Sequence, residues 1–112
     1  MENVLEELLT LPGAQAAFVV GKDGLVIARV GDTTPDPDTL GAAAAEIVNQ
    51  LETTFESQSP LNLLEFAGDS GTSYMAAINE VTYLYLSARA NSSTGRLRLG
   101  IKSACQQLRE QL

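Results

Sequence analysis

The run Gln15-Ala16-Ala17-Phe18-Val19-Val20 is apolar on both of its alternating sets, Ala16, Phe18 and Val20 on one side and Ala17 and Val19 on the other. Tyr83-Leu84-Tyr85-Leu86 repeats the pattern later in the chain. A strand that is apolar on both faces needs cover on both, so a sheet built on these runs has helices packed against each side. The 112 residues form a single domain over 1–112. A chain of that length buries roughly two-thirds of its unfolded surface.

The covering helices are legible. Residues 2–11 set Val4, Leu5, Leu8 and Leu9 on one side and end at Pro12-Gly13. The longest helix is expected over Asp36–Ser59, with Asp36 as N-cap, Pro37 at the first helical position and Asp38 near the positive end of the helix dipole. Leu40, Ala44, Ile47, Leu51 and Phe55 form its expected core stripe, and Pro60 stops it. Gly41, Ala42, Ala45, Val48 and Asn49 make a second, small-residue face, and the helix carries no Lys or Arg. Small side chains let another helix approach closely, most simply a copy of this one. After the Asn91–Gly95 loop, Leu97, Ile101, Ala104/Cys105, Leu108 and Leu112 mark a last helix, with Arg96, Lys102 and Arg109 on its wet side.

Between them lie five strand candidates. Gln15–Val20 and Leu25–Val30 are joined through Asp23-Gly24, a hairpin signal because tight turns need positive φ. Leu61–Ala67, Thr72–Ile78 and Val81–Ala88 follow, with turns at Gly68–Gly71 and Asn79-Glu80. The predicted fold is α+β, in the order αββαβββα, with a five-stranded antiparallel sheet (order 2-1-5-4-3) sandwiched between helices. The third strand is then an edge with little charge to protect it, and such an edge invites another strand. A two-fold pairing of these edges extends one sheet through two subunits and brings the long helices together. The expected self-association surface is Gly41, Ala42, Ala45, Val48, Asn49 and Glu52 on the helix, with Leu61, Leu63, Leu64, Glu65 and Phe66 on the strand.

Little in the chain points to chemistry. It has no histidine, which removes Ser-His and Cys-His dyads and His-bound zinc. Gly68-Asp69-Ser70-Gly71 is a hairpin turn, and no glycine-rich phosphate loop is present. Asp32, Asp36 and Asp38 lack the spacing of a calcium loop. No catalytic, cofactor-binding or metal-binding residue is assigned, and the chain is read as a non-enzyme. A net charge of −7 argues against nucleic acid. The charge is uneven: residues 1–80 hold thirteen acids and two bases, residues 81–112 five bases and one acid. No run approaches a membrane span, and the acidic start lacks the features of a signal peptide, so a cytoplasmic location without membrane insertion is expected. Cys105, the single cysteine, falls on the apolar side of the last helix and is expected to be a buried, inert thiol.

Pro12–Val20, followed by Asp23-Gly24-Leu25-Val26-Ile27-Ala28 and Gly31, resembles the opening of roadblock/dynein light chain domains. The alanine-rich helix, the three-strand meander and the closing helix match the rest. One departure is Ser92-Ser93-Thr94-Gly95 before the last helix, where the family often has a Leu-Gly-Leu-type start. The resemblance implies a roadblock/profilin-like fold and a homodimer whose third strands pair and whose second helices pack antiparallel. It further implies a regulator or scaffold for a Ras-like small GTPase, as in the bacterial gliding-motility type, with stimulation of the partner's GTP hydrolysis among its roles. The competing readings are a PAS/profilin-like ligand-sensing module and a purely structural subunit of a larger assembly.

Overall fold

The structure is a computed structural model and describes residues 1–33, 35–55 and 62–112. The elements run α1 (Glu2–Leu8), β1 (Ala14–Gly21), β2 (Val26–Gly31), α2 (Pro37–Thr54), β3 (Leu64–Gly68), β4 (Gly71–Ala77), β5 (Thr82–Arg89) and α3 (Thr94–Gln111). They build one antiparallel five-stranded sheet in the order β2-β1-β5-β4-β3, as expected from the two-sided apolar runs and the short connections. The central strands are buried on both faces, with Ala16 to Val20 on β1 and Thr82 to Leu86 on β5 all inaccessible.

Two cores follow from this. Above one face, α1 and α3 pack Val4, Leu5, Leu8, Leu97, Ile101 and Leu108 onto Ala17, Val19, Leu84 and Leu86. Below the other, α2 packs Ala44 and Val48 onto Phe18, Val20, Met75, Tyr83 and Tyr85. The Phe18 and Tyr85 rings stack with centroids 4.4 Å apart, and the Tyr85 hydroxyl lies 2.7 Å from Ser73 Oγ. Burying a large side chain of this kind contributes about 1.5–3 kcal/mol, so both layers are needed to stabilise the sheet.

Local signals account for most element ends. Gly24 has φ +87° in the β1–β2 turn, where Gly21 N–H donates to Leu25 O at 2.9 Å. The Asp36 carboxylate caps α2, accepting from Thr39 N–H at 3.4 Å and Thr39 Oγ1 at 2.7 Å. These bonds hold its pKa below the usual carboxylate value, the Thr39 hydroxyl contributing most. Asn79 Oδ1 closes the β4–β5 turn by accepting from Val81 N–H, Thr82 N–H and the Thr82 hydroxyl. Helix α3 starts at Thr94 after Ser93, whose side chain makes no capping bond. The expected margins shift in places: β3 starts at Leu64 rather than Leu61, and α2 ends at Thr54. Leu61 and Pro60 lie outside the described residues. Between β1 and β2 the register slips at Val19/Val20, a bulge that the sequence did not signal.

The larger correction concerns α2. The stripe expected to face the core leaves Ile47 44% and Phe55 74% exposed. The face against the sheet is instead Gly41, Ala44, Ala45 and Val48. Of the small residues expected to receive a second helix, Gly41, Ala45 and Val48 are instead buried under the helix, and Ala42 stays exposed. A Cβ at Gly41 would sit 2.8 Å from Val26 Cγ2 and 3.3 Å from Val20 Cγ2, so the close approach of helix and sheet depends on its absence.

Candidate functional site

Turning α2 this way leaves an apolar flank. Leu40, Ile47 and Leu51 follow one another along the helix beside its buried face, and Phe55 stands at its C-cap. Across the same side of the sheet, Leu64 of β3 packs against the lower core and Phe66, two residues on, remains 40% exposed. Phe66 opposes Ser73, whose hydroxyl meets Tyr85 on the α2 side. β3 pairs only with β4, so its outer edge is unpaired among the described residues. A helix flank and a strand edge therefore present apolar side chains and free backbone groups toward the same side, the two features that strand addition and helix packing use.

The helix carrying that flank is pinned from below. Asn49 Nδ2 donates to Lys22 O at 3.1 Å, Lys22 Nζ lies 3.4 Å from Glu52 Oε1, and the Tyr83 hydroxyl donates to Glu52 Oε1 at 2.8 Å. Burial, the hydrogen bond to Glu52 and its charge push the Tyr83 phenol above its ordinary range, so it stays a donor. At the other end, Arg29 of β2 reaches Asp38 in the first turn of α2 at 2.8 Å. On β3, Glu65 is held by both the Nε and Nη2 of Arg98 on α3. That hydrogen bond lowers the Glu65 pKa, its burial opposing the shift.

The residues singled out for self-association are thus divided by the fold. Gly41, Ala45 and Val48 are buried under α2, and the Asn49 amide and the Glu52 carboxylate are engaged by Lys22 and Tyr83. Ala42 is exposed and sits over the β1–β2 turn, its Cα 3.3 Å from where a Gly24 Cβ would be. On β3, Leu64 and Phe66 face the α2 side and Glu65 bonds to α3, while Leu63, just before the strand, lines a groove beside that helix. Leu61 lies outside the described residues. Ile47 and Phe55 are exposed and Leu51 is half-buried, although all three belong to the expected core stripe. Their helical spacing is a signal, but periodicity alone does not say which of two apolar stripes the sheet will take. Cys105 is buried and unpaired, and burial pushes its thiol up to about 11. Among the described residues no helix is long and apolar enough to cross a membrane, and no group of three or more His, Cys, Asp or Glu is placed to hold a metal ion.

Comparison with known proteins places this geometry. An uncharacterised protein of Methanocaldococcus jannaschii, MJ0714, is 31% identical over 112 residues, covering 97% of this chain and 93% of its own. A Roadblock/LC7 domain from Streptomyces avermitilis superposes with a TM-score of 0.88 at 16% identity, over 99% of this chain and 96% of that one. The gliding protein MglB of Thermus thermophilus gives 0.88 at 23% identity, over 97% and 85%. The sequence model of the Roadblock/LC7 domain matches residues 1–88, from α1 to the end of the sheet, and the chain belongs to that family.

Proposed function

We propose that the chain is a non-enzymatic, homodimeric platform in the cytoplasm that binds a Ras-like small GTPase. The observation that carries this reading is the apolar flank Ile47-Leu51-Phe55 beside an unpaired β3 edge bearing Phe66, in a member of the Roadblock/LC7 family. A two-fold axis beside β3 pairs the two edges antiparallel and lays the two α2 flanks against each other, each patch meeting its own copy. The interface then consists of Ile47, Leu51, Phe55, Leu64 and Phe66, with the expected small-residue face of α2 replaced by its neighbouring stripe. The fold neighbour MglB is described as a gliding protein, and a further MglB structure as having a tetrameric arrangement. The tetrameric arrangement of that neighbour supports self-association here.

Residues 37–54 hold no Lys or Arg, so the α2 surface offers no arginine to a bound nucleotide. Any stimulation of GTP hydrolysis then comes from ordering the GTPase's own groups. The test is a pull-down comparing GTP- and GDP-analogue-loaded small GTPases of the source organism, followed by a hydrolysis assay. Arg29→Ala and Arg89→Ala are expected to keep both binding and stimulation. Loss of stimulation with binding intact in either variant refutes the positioning mechanism, and failure of every GTPase to bind refutes the platform.

A further inference from the structure

Helix α3 packs on β4 and β5 and reaches β3 through the Arg98–Glu65 ion pair, and beside it lies a groove of about 450 Å³. One wall is a flank of α3 on which Arg98, Ile101, Lys102, Cys105 and Arg109 recur at three- and four-residue steps. That flank spans about three turns, or roughly 16 Å. Leu63 forms the opposite wall, and Ala76 and Ala77 of β4 keep the floor low. This is the face of the sheet away from α2, and most of its wall lies beyond residues 1–88, the part matched by the family model.

The charges along the wall are not equivalent. Arg98 is neutralised by Glu65. Arg109 is held in place by donating Nε to Ile78 O at 2.6 Å, a bond that orients the guanidinium, and no carboxylate among the described residues pairs with it. Lys102 has no carboxylate partner among the described residues. A chain of net charge −7 thus lines one groove with two cations that no carboxylate among the described residues pairs with. Adjacent strands lie about 4.8 Å apart and packed helices about 8–10 Å, so a helix laid over β3 has the right spacing to lie beside one that sits over β4 and β5.

We propose that this groove is the docking site for an acidic amphipathic helix of another protein, lying alongside α3 with an apolar side chain against the exposed Leu63 and carboxylates on Lys102 and Arg109. Charge complementarity selects the occupant: Leu63, exposed at one wall, asks for an apolar group, and the two cations ask for Asp or Glu at the rim. The cations belong to one wall of a trough rather than a projecting face, and the acidic remainder of the chain is repelled by anionic lipid, which disfavours a membrane surface. The proposal does not rest on the GTPase reading or on the two-fold surface, which use the other face of the sheet.

The intact chain, labelled with ¹⁵N, is titrated with two designed sixteen-residue helical peptides that share one Leu/Ala face. One is flanked by Glu and the other by Lys; phosphatidylglycerol vesicles form a third arm. The expected result is saturable shifts at residues 98–109, Leu63 and Ala76 with the Glu peptide, at a Kd below roughly 100 μM. The Lys peptide is expected to bind at least tenfold more weakly, and Lys102→Glu to weaken the Glu peptide at least tenfold. Light scattering on the same variant reports the oligomeric state, which should not change, so this proposal and the dimer fail separately. No saturable shift, equal affinity for the two peptides, indifference to Lys102→Glu, or binding to vesicles without binding the Glu peptide each overturns it.

Discussion

Exchanging a single residue for glutamate at two neighbouring positions of α2 separates the two possible orientations of that helix. Ala45 is 2% exposed and Ile47 44% exposed. In Ala45→Glu the new carboxylate has no room and no partner beneath the helix. An uncompensated buried charge costs about 3–5 kcal/mol. Protonation lowers that to the ~1–3 kcal/mol of an unsatisfied polar group, with a further ~1–3 kcal/mol for overpacking. The sum, at least about 2 and up to about 8 kcal/mol, is set against a total stability of roughly 5–15 kcal/mol. At about 5 °C per kcal/mol for a domain of this size, the melting temperature should fall by some 10 °C or more. In Ile47→Glu the fold should be nearly unaffected, within about 1 kcal/mol. Its effect is on the proposed pairing: about half of an isoleucine's ~1.5–3 kcal/mol transfer energy would be lost on each of two subunits. That is about 2 kcal/mol before charge repulsion, or roughly a thirtyfold weaker dimer. Thermal melts by circular dichroism and light scattering over a concentration series read both effects. If Ala45→Glu melts within ~5 °C of the parent and runs as a folded monomer, the small-residue face looks outward after all and the reasoning fails.

Gly41→Leu should destabilise the domain by about 1–3 kcal/mol through overpacking on Val20 and Val26, despite a better helix propensity, measured by urea unfolding. Tyr83→Phe removes the donor to Glu52 and should cost about 1–3 kcal/mol by the same measurement, because Glu52 keeps its burial and loses a partner. Glu65 has a folded pKa below its ordinary 4.5, so its contribution to stability is complete above that value and is lost as pH falls through the lowered one. Glu65→Gln should therefore flatten the acid limb of a stability–pH curve below about pH 4.5, and an unchanged limb would refute the assignment.

The strands that are apolar on both faces fixed the layer arrangement before any contact was known, because Phe18 and Val19 cannot both be buried under a single layer of helices. The Asp36-Pro37 start of α2 and the Asp23-Gly24 turn were equally legible, since each rests on local backbone chemistry. The orientation of α2 was not. Ala44 belongs to both of its apolar stripes, and the bulkier one, with Ile47 and Phe55, looked like the core. The sheet instead took Gly41, Ala45 and Val48 because close approach over Val20 and Val26 requires small side chains. The pairing of Glu65 with Arg98, thirty-three residues apart, has no local signature and appears only once β3 and α3 are neighbours. The groove beside α3 was unreadable for the same reason: its two walls are distant segments.

The bulge at Val19/Val20 gives the sheet unequal margins. On β2 the ladder is thrown out of step by one residue, Arg29 pairs with Asp38, and Gly31 has φ +86°. A margin that is kinked and charged is a poor template for a further strand. With growth obstructed at that end, the proposed association through β3 would close at a pair and leave no open end from which a filament would lengthen.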